Sequence, residues 1–268
     1  MKKIILLVSA AVVSIAASAQ SITIVQKGQE VLSVSPSTVD EIVFSMDEPT
    51  GTVASGGSQA VNGKWCSIGT SITWYNNNVS TAGGRFTRGY QDRVMDRLAF
   101  KEFANVGDNG GCIAGSVNKP VEADYYSIEH GINDWGHGVA VGTIDDYING
   151  TNNGTFAADY RRLIDKIYSL NPKAKVVLCT PRKGCGFSGY LPAHWYDEHK
   201  GIHLEDYAKL IRQIAEYESL PVADFFSLCG GDHNLVQLSI DEALHPNDDG
   251  YQLMANVLVK AFEKIIVE

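Results

Sequence analysis

Segments with strand character and segments with helix character alternate from residue 64 to the end of the chain. Short apolar runs such as KWCSIG, ADYYSIEHG and AKVVLCTP have the length and residue types of buried strands. Longer runs such as FAADYRRLIDKIYSL and LEDYAKLIRQIAEYESL carry apolar residues at helical spacing. This alternation predicts an α/β fold, a three-layer α/β/α sandwich with a mainly parallel sheet, because helical crossovers connect parallel strands and cover both faces of the sheet.

The first 19 residues have the pattern of a cleavable signal peptide. Lys2 and Lys3 precede a short apolar run, and the small residues ASA at 17–19 precede Gln20. The apolar run is too short to span a bilayer, and no later segment reaches about 18 consecutive apolar residues. We therefore expect a secreted or periplasmic protein with no transmembrane segment in the mature chain.

Three further regions follow the predicted signal peptide. Residues 20–46 contain candidate strands, two of them on either side of Gly28 as in a hairpin, and predict a small β appendage. Residues 47–61 are rich in Gly, Ser, Thr and Pro, which is the composition of a flexible linker. Residues 62–268 form the predicted main domain.

Charge and metal-ligand spacing argue against some classes of function. The formal net charge is −9, and it becomes −11 when Lys2 and Lys3 are removed with the signal peptide. An acidic chain without a basic stripe argues against a nucleic-acid partner. His199 and His203 are four residues apart, but Gly201 between them weakens a helix and no third ligand stands out. The chain also has no GxxxxGK[ST] phosphate loop and no HExxH zinc helix, and we expect neither a metal ion nor an organic cofactor.

The five cysteines show no CxxC spacing, so the sequence supports neither a zinc ribbon nor a thioredoxin-like motif. An exported chain has access to an oxidising compartment in which disulfides form. Cys185 and Cys229 lie in Gly-rich loops and are the candidates for such a pair.

Four short polar segments follow strands or precede a helix. They are GTSIT with Ser71, NVGDNGG with Gly110 and Gly111, GINDW with Asn133, and DEALHPND with His245. Each one alone also fits a turn or a helix cap. In open α/β sheets, however, ligands bind at the carboxyl ends of the strands. A serine hydroxyl becomes a good nucleophile when an imidazole removes its proton, so Ser71 would need His245.

In this order, the four segments resemble the blocks of the SGNH (GDSL-type) hydrolase family, and the resemblance extends over about residues 64–266. Ser71 matches the serine of the GDS motif, Asn133 matches the GxND block, and His245 in LHPN matches the last block. The resemblance implies a serine esterase in which Ser71 is the nucleophile and His245 the general base.

The resemblance also assigns an oxyanion hole. Its donors would be the backbone N–H of Ser71, the backbone N–H of Gly110 and the side-chain amide of Asn133. Gly111 is a close competitor for the place of Gly110, because the two glycines are adjacent in the second block. Glycine suits this role because it lets the backbone approach a ligand closely.

The sequence departs from the family pattern at two places. Thr70 stands where the family usually has a supporting aspartate directly after the first glycine. The family pattern DxxH also places an acid three residues before the histidine, and here that residue is Glu242, while Asp241 is four residues before His245. We favour Glu242 as the partner of the imidazole because it is in register. Asp241, or a backbone carbonyl in a Ser–His dyad, is the alternative.

The resemblance and the predicted export together indicate a secreted esterase that removes short acyl groups, such as acetyl, from carbohydrate. Its partner would be a small-molecule or glycan ester. Trp74 and Trp135 lie beside the blocks and are candidate substrate-binding residues, as is Gly111. One alternative is a lysophospholipase or thioesterase of the same family. Another is a non-catalytic glycan-binding protein on a degenerate hydrolase scaffold, which the missing in-register aspartate motivates.

Overall fold

The computed structural model describes residues 60–76 and 88–266, together with the backbone of five strands between residues 3 and 45. The chain divides into two compact units, Met1–Gly56 and Gly57–Glu268. The strands of the first unit are β1 (Lys3–Leu7), β2 (Val13–Ala17), β3 (Ile22–Gln26), β4 (Gln29–Val34) and β5 (Glu41–Ser45). Strands β2, β3 and β4 form one sheet, and β1 pairs with β5 in parallel.

The hairpin predicted around Gly28 corresponds to β3 and β4, which pair antiparallel with Gln26 opposite Gln29. Strands β1 and β2 lie within the span that the sequence predicts to be a signal peptide, and cleavage of that span stays a prediction. The predicted linker over 47–61 lies outside the described residues except for residues 60 and 61.

The second unit contains a parallel sheet of five strands in the order β10-β9-β8-β6-β7. Its strands are β6 (Lys64–Gly69), β7 (Glu102–Asn105), β8 (Tyr125–Glu129), β9 (Lys175–Cys179) and β10 (Val222–Ala223). Its helices are α1 (Ser71–Trp74), α2 (Tyr90–Leu98), α3 (Ile113–Ser116), α4 (Ile132–His137), α5 (Ile144–Asn149), α6 (Phe156–Leu170), α7 (Leu204–Glu218), α8 (Phe225–Leu228) and α9 (Asp248–Phe262). The predicted three-layer α/β/α sandwich is confirmed.

Both faces of the sheet are buried. Successive side chains of a strand point to opposite faces, and each face packs into its own hydrophobic cluster. Ile68 and Leu178 belong to a hydrophobic cluster on the side of helices α3 to α7. Trp65 and Val177 belong to a second cluster on the side of α2, α8 and α9. The strands are apolar along their whole length in the sequence because helices cover both faces of the sheet. No helix in the part of the chain that the structure describes is both long and apolar enough to cross a membrane.

Strands β6 and β8 are neighbours at the centre of the sheet, although β7 lies between them in the sequence. The chain passes from β6 to β7 at one edge and then returns past β6 to form β8. Gly69 at the end of β6 is paired with Glu129 at the end of β8. This reversal of direction opens a crevice at the carboxyl ends of the two strands, and the loops that follow them form its walls.

Candidate active site

Ser71 and His245 meet at this carboxyl edge, although 174 positions separate them in the sequence. Ser71 is the first residue of α1, and the Thr70 hydroxyl caps this helix by accepting a hydrogen bond from the Ile72 backbone N–H at 3.3 Å. The Ser71 Oγ lies 2.9 Å from the His245 Nε2. Both residues are buried, so this hydrogen bond is protected from competing solvent.

Asp241 is the acidic residue that contacts the imidazole. One of its carboxylate oxygens accepts a hydrogen bond from the His245 backbone N–H at 2.7 Å, and the other contacts the His245 Nδ1. A carboxylate at Nδ1 favours the tautomer that carries its proton on that nitrogen. The lone pair of Nε2 then faces the Ser71 hydroxyl, which is the arrangement that a general base requires.

Glu242 does not reach the imidazole, so the expectation that Glu242 rather than Asp241 orients His245 is wrong. Its backbone φ of +31° lies in the left-handed region, and its carboxylate accepts from the Ser188 backbone N–H at 3.4 Å. A residue with a left-handed backbone points its side chain in a different direction from the one it would have in a helical or extended backbone. The loop thus places its acid four residues before the histidine instead of three.

Asn133 lies on α4, immediately after β8, and contributes to the same cleft as Ser71 and His245. Its Nδ2 donates one hydrogen to the Gly111 carbonyl oxygen at 3.0 Å. A side-chain amide nitrogen carries two hydrogens, so a second one is left for a ligand. The bond to Gly111 also sets the orientation of the amide toward the loop that follows β7.

Gly110 and Gly111 have different positions relative to the cleft. Gly110 is part of its lining, and its backbone N–H has no partner among the described residues. The Gly111 N–H instead donates to the Asp108 carbonyl at 3.0 Å. Gly110 has a φ of +76° with no atom within 4 Å of the position that a Cβ would take, so the backbone conformation and not a lack of space favours glycine. The structure therefore places Gly110, and not Gly111, with a free donor at the cleft.

The cleft around Ser71 has a volume of about 350 Å³. Tyr75 and Phe187 pack edge-on against the His245 imidazole, with ring centroids at 4.8 and 5.2 Å. The residues that line the cleft are Ser71, Tyr75, Asn109, Gly110, Asn133, His137, Phe187, Tyr190, Leu244 and His245. Sequence reasoning missed the aromatic members, and the only local signal for Phe187 is its place between two glycines in GFSG.

Phe187 is presented by an unusual turn. The four consecutive residues 186–189 all have φ between +56° and +79°, and two of them, Phe187 and Ser188, are not glycine. Left-handed conformations cost free energy in residues that carry a Cβ, and such residues often occur at functional sites. The Glu242 carboxylate contacts this turn through the Ser188 N–H. Glu242 therefore holds the wall of the cleft and not the imidazole.

The two tryptophans predicted as substrate-binding residues do not line the cleft. Trp135 is fully buried, and its Nε1 donates to the Ile202 carbonyl at 2.9 Å, so the expectation that it is a substrate-binding residue is wrong. Trp74 is half-buried and packs edge-on against Tyr75 at 5.3 Å. Both rings follow catalytic segments in the sequence, but their helices direct them into protein packing.

The other ligand candidates have structural contacts. The His199 Nε2 contacts the Gly136 carbonyl oxygen at 3.0 Å, and the His203 Nδ1 contacts the Tyr196 carbonyl oxygen at 3.2 Å. No group of three His, Cys, Asp or Glu side chains within residues 60–76 and 88–266 is arranged to hold a metal ion. All five cysteines, including Cys185 and Cys229, are free thiols.

Two buried ionisable residues lie beside residues of this site: Asp134 follows Asn133, and His130 precedes Gly131. Burial raises the pKa of Asp134 to about 7, and burial lowers the pKa of His130 to about 3. Asp134 accepts from the Ile113 N–H at 3.1 Å, and the His130 Nε2 contacts the Ser116 hydroxyl at 3.0 Å. His130, directly after β8, and Asp134, on α4, thus connect this part of the chain to helix α3, which follows the Gly110 loop.

Comparison with known proteins identifies the family and the fold of the part of the chain that forms this site. The sequence model of the GDSL-like Lipase/Acylhydrolase family matches residues 67–253, which include all four polar segments. No curated protein matches the sequence.

Among solved structures, a possible lipase from Chitinophaga pinensis DSM 2588 is 26% identical, with a TM-score of 0.65 over 76% of this chain and 98% of that one. The lipase/acylhydrolase from Enterococcus faecalis is 20% identical, with a TM-score of 0.54 over 76% of this chain and 97% of that one, and this likeness supports the fold alone.

Proposed function

Because the chain belongs to the GDSL-like lipase/acylhydrolase family and is a hydrolase of ester bonds, we propose that it removes short acyl groups from carbohydrate through a Ser71 acyl-enzyme. The observation that carries the proposal is the 2.9 Å contact between the Ser71 Oγ and the His245 Nε2, with Asp241 at the other ring nitrogen. These three groups provide a nucleophile, a general base and a carboxylate that stabilises the base when it is protonated.

In the first half of the reaction, the Ser71 Oγ attacks the ester carbonyl carbon while the His245 Nε2 takes the hydroxyl proton. The tetrahedral intermediate then collapses, and the alcohol leaves with the proton that His245 returns to it. In the second half, His245 removes a proton from water, and the resulting hydroxide attacks the acyl-enzyme. When this second intermediate collapses, His245 returns its proton to the Ser71 Oγ, the carboxylic acid leaves, and the free enzyme is restored.

The negative charge on the carbonyl oxygen would be stabilised by three donors. They are the Ser71 N–H, the Gly110 N–H and the second amide hydrogen of Asn133. Such preorganised donors contribute about 3–4 kcal/mol each to the stability of a transition state. Asp241 would stabilise the imidazolium that forms when His245 accepts the proton.

The preference for a short acyl group and a hydroxylated alcohol is supported by the lining of the cleft. A volume of about 350 Å³ is small, and the rings of Tyr75, Phe187 and Tyr190 close part of it. Asn109 and His137 contribute polar groups that can donate to or accept from hydroxyls. Aromatic walls with a few polar groups are the usual composition of a small-molecule site.

The mechanism is tested with p-nitrophenyl acetate. We expect a burst of p-nitrophenol in proportion to the enzyme concentration, and we expect Ser71→Ala to abolish both the burst and the turnover. Ser169→Ala, which changes an exposed serine of α6, is the control and should retain wild-type kinetics. Wild-type turnover in Ser71→Ala would show that another residue is the nucleophile.

The substrate class is tested with a panel of acetylated sugars, nitrophenyl esters of increasing chain length, thioesters and lysolipids. We expect the highest kcat/KM for acetylated sugars. A preference for lysolipids or thioesters would support another activity of the same family. Glycan binding without turnover of any ester would support a binding protein on the hydrolase scaffold.

We also propose that the protein is exported, on the basis of the charged, apolar and small residues in the first 19 positions. Expression of the full chain in a Gram-negative host and N-terminal sequencing of the extracytoplasmic fraction should yield a chain that begins at Gln20. Recovery of the chain only in the cytoplasm, with Lys2 and Lys3 still present, would contradict export.

A further inference from the structure

Glu129, at the end of β8, is fully buried beside the turn that carries Ser71. Its Oε2 accepts a hydrogen bond from the Thr70 backbone N–H at 3.1 Å and from the Thr70 hydroxyl at 2.8 Å. The same oxygen accepts from the Thr73 hydroxyl at 3.1 Å. Thr70 and Thr73 lie on either side of Ser71 in the sequence, so one carboxylate oxygen holds both ends of the nucleophile turn.

A chain of hydrogen bonds with a definite direction ends at this carboxylate. The Trp65 indole N–H, which can only donate, donates to the Ser127 hydroxyl at 3.1 Å. Ser127 donates to the Ser67 hydroxyl at 3.4 Å, and Ser67 lies 3.0 Å from the Tyr90 hydroxyl.

The Tyr90 hydroxyl in turn lies 2.8 Å from the Thr73 hydroxyl, which donates to Glu129. Since each hydroxyl has one proton, the Trp65 indole N–H at the start of this hydrogen-bond series directs every proton toward Glu129. The group at the end of the series must therefore be an acceptor, and a carboxylate oxygen is the strongest acceptor among side chains.

Burial raises the pKa of the Glu129 carboxyl to about 7, because desolvation penalises its ionised form. No lysine or arginine is among the described groups that act on it, and its second oxygen, Oε1, is buried without a hydrogen-bond partner among them. A buried carboxylate without a cation lowers stability, and an apolar residue of similar size would avoid that penalty. Gly69, which is paired with Glu129, leaves the space, because a Cβ at Gly69 would lie 2.9 Å from the Glu129 Oε2.

We infer that Glu129 is a positioning residue for the nucleophile: its carboxylate fixes the turn from Thr70 to Thr73, and through it the Oγ and the N–H of Ser71. This inference rests on the proposed hydrolysis by Ser71. Thr70, directly after Gly69, gives the turn no carboxylate of its own, and Glu129 on the neighbouring strand supplies one. A displacement of about 1 Å in such a group can lower a rate by about 100-fold, so the hold on this turn matters for kcat.

The test combines Glu129→Gln with Thr70→Asp. Glu129→Gln weakens the acceptor and leaves a buried amide hydrogen without a partner, so we expect kcat for p-nitrophenyl acetate to fall about 10- to 100-fold with KM unchanged within about twofold. Thr70→Asp alone places two carboxylates side by side and should also lower kcat. The double variant returns a single carboxylate to the turn, beside an amide that can donate to it, and should exceed both single variants in kcat by at least about fivefold.

Rescue in the double variant separates positioning from a general loss of folding, and so does the unchanged KM. Glu122→Gln, which changes an exposed glutamate just before β8, is the matched control and should retain wild-type kcat. If Glu129→Gln does not fold, Thr70→Val and Thr73→Val each remove one donor to the carboxylate. Each of these should lower kcat without a change in KM.

A second readout distinguishes failure of this inference from failure of the proposed function. Covalent labelling of Ser71 by a fluorophosphonate, followed by mass spectrometry, reports the reactivity of the nucleophile directly. Slower labelling of Glu129→Gln than of the wild type supports the inference. Equal labelling and equal kcat in the two proteins would overturn it while the esterase proposal stands. If the wild type neither hydrolyses the ester nor is labelled at Ser71, the proposed function fails and the positioning role fails with it.

Discussion

Asp241 contacts His245 twice, once through the backbone N–H at 2.7 Å and once through the imidazole Nδ1. The first contact determines where the histidine lies in its loop, and the second determines the direction of its ring. The Ile240 N–H also donates to the His245 carbonyl at 2.9 Å, so the loop closes tightly around this pair. The geometry of the base is therefore set locally, within the few residues before α9.

Asp241→Asn should lower kcat for p-nitrophenyl acetate by about 10²- to 10⁴-fold, because an amide neither selects the required tautomer nor stabilises the imidazolium. The backbone contact to His245 can persist through the amide oxygen, so we expect little change in the free energy of unfolding. Steady-state kinetics together with urea denaturation would separate the two effects.

Glu242→Gln is the matched control for that substitution. Its carboxylate contacts the Ser188 N–H and not the imidazole, and a glutamine oxygen can still accept from that N–H and hold the wall of the cleft, so kcat should stay within about threefold of wild type. A large loss in Glu242→Gln combined with a small loss in Asp241→Asn would contradict the assignment of the acid.

Asn133→Ala should lower kcat by about 10²- to 10³-fold with a smaller effect on KM, because the amide hydrogen is needed most when charge develops on the carbonyl oxygen. The substitution also removes the bond to the Gly111 carbonyl. Asn149→Ala on α5, an exposed position, should leave kcat unchanged. Equal kcat values for the wild type and Asn133→Ala would exclude Asn133 from the oxyanion hole.

Arg182→Lys should lower the free energy of unfolding by about 2–4 kcal/mol, since it leaves buried carbonyl groups without donors. The Arg182 guanidinium is buried and donates to the carbonyls of Cys229 at 3.1 Å and Leu244 at 3.2 Å, among others of the segment that leads to the histidine. Urea denaturation of this variant and of Arg97→Lys, at an exposed position of α2, would measure the difference. Equal stability of the two variants would contradict the prediction.

Asp134→Asn should change the pH dependence of stability. Burial raises the pKa of Asp134 from 3.8 to about 7, so between these values the folded protein binds more protons than the unfolded chain. The wild type therefore loses stability through this group as the pH rises from about 4 to about 7. An asparagine cannot ionise, and its oxygen can still accept from the Ile113 N–H.

Relative to the wild type, Asp134→Asn should therefore gain about 2–3 kcal/mol between pH 5 and pH 8. Urea denaturation at both pH values measures this gain, and Asp145→Asn, at an exposed position of α5, is the control. A difference between Asp134→Asn and the wild type that is the same at both pH values would show that Asp134 is already ionised at pH 5.

Much of the fold could be predicted from the sequence because the pattern that identifies each strand or helix lies within that element. The lengths and apolar patterns of β6, β8 and β9 identify strands within a few residues, and the spacing in α6 and α7 identifies helices. The polar segments with Ser71 and Asn133 could be located for the same reason, since each directly follows a strand. The family pattern then put these segments in an order that has a chemical meaning.

Side-chain direction could not be predicted in the same way. The register of DxxH favoured Glu242, but the left-handed φ at that residue turns its carboxylate to Ser188 and leaves Asp241 to the imidazole. Trp135 follows Asn133 by two residues, yet the helix that exposes one of them to the cleft buries the other in the core.

What the sequence determined by itself was the order of strands and helices and the position of each polar segment, because short-range periodicity and strand ends encode them. Only the tertiary structure decided which groups meet. The contact between Ser71 and His245, the choice of Asp241, and the placing of Glu129 beneath the nucleophile depend on strand register and loop closure. These features join residues that lie far apart in the chain, and no local pattern records the distance between them.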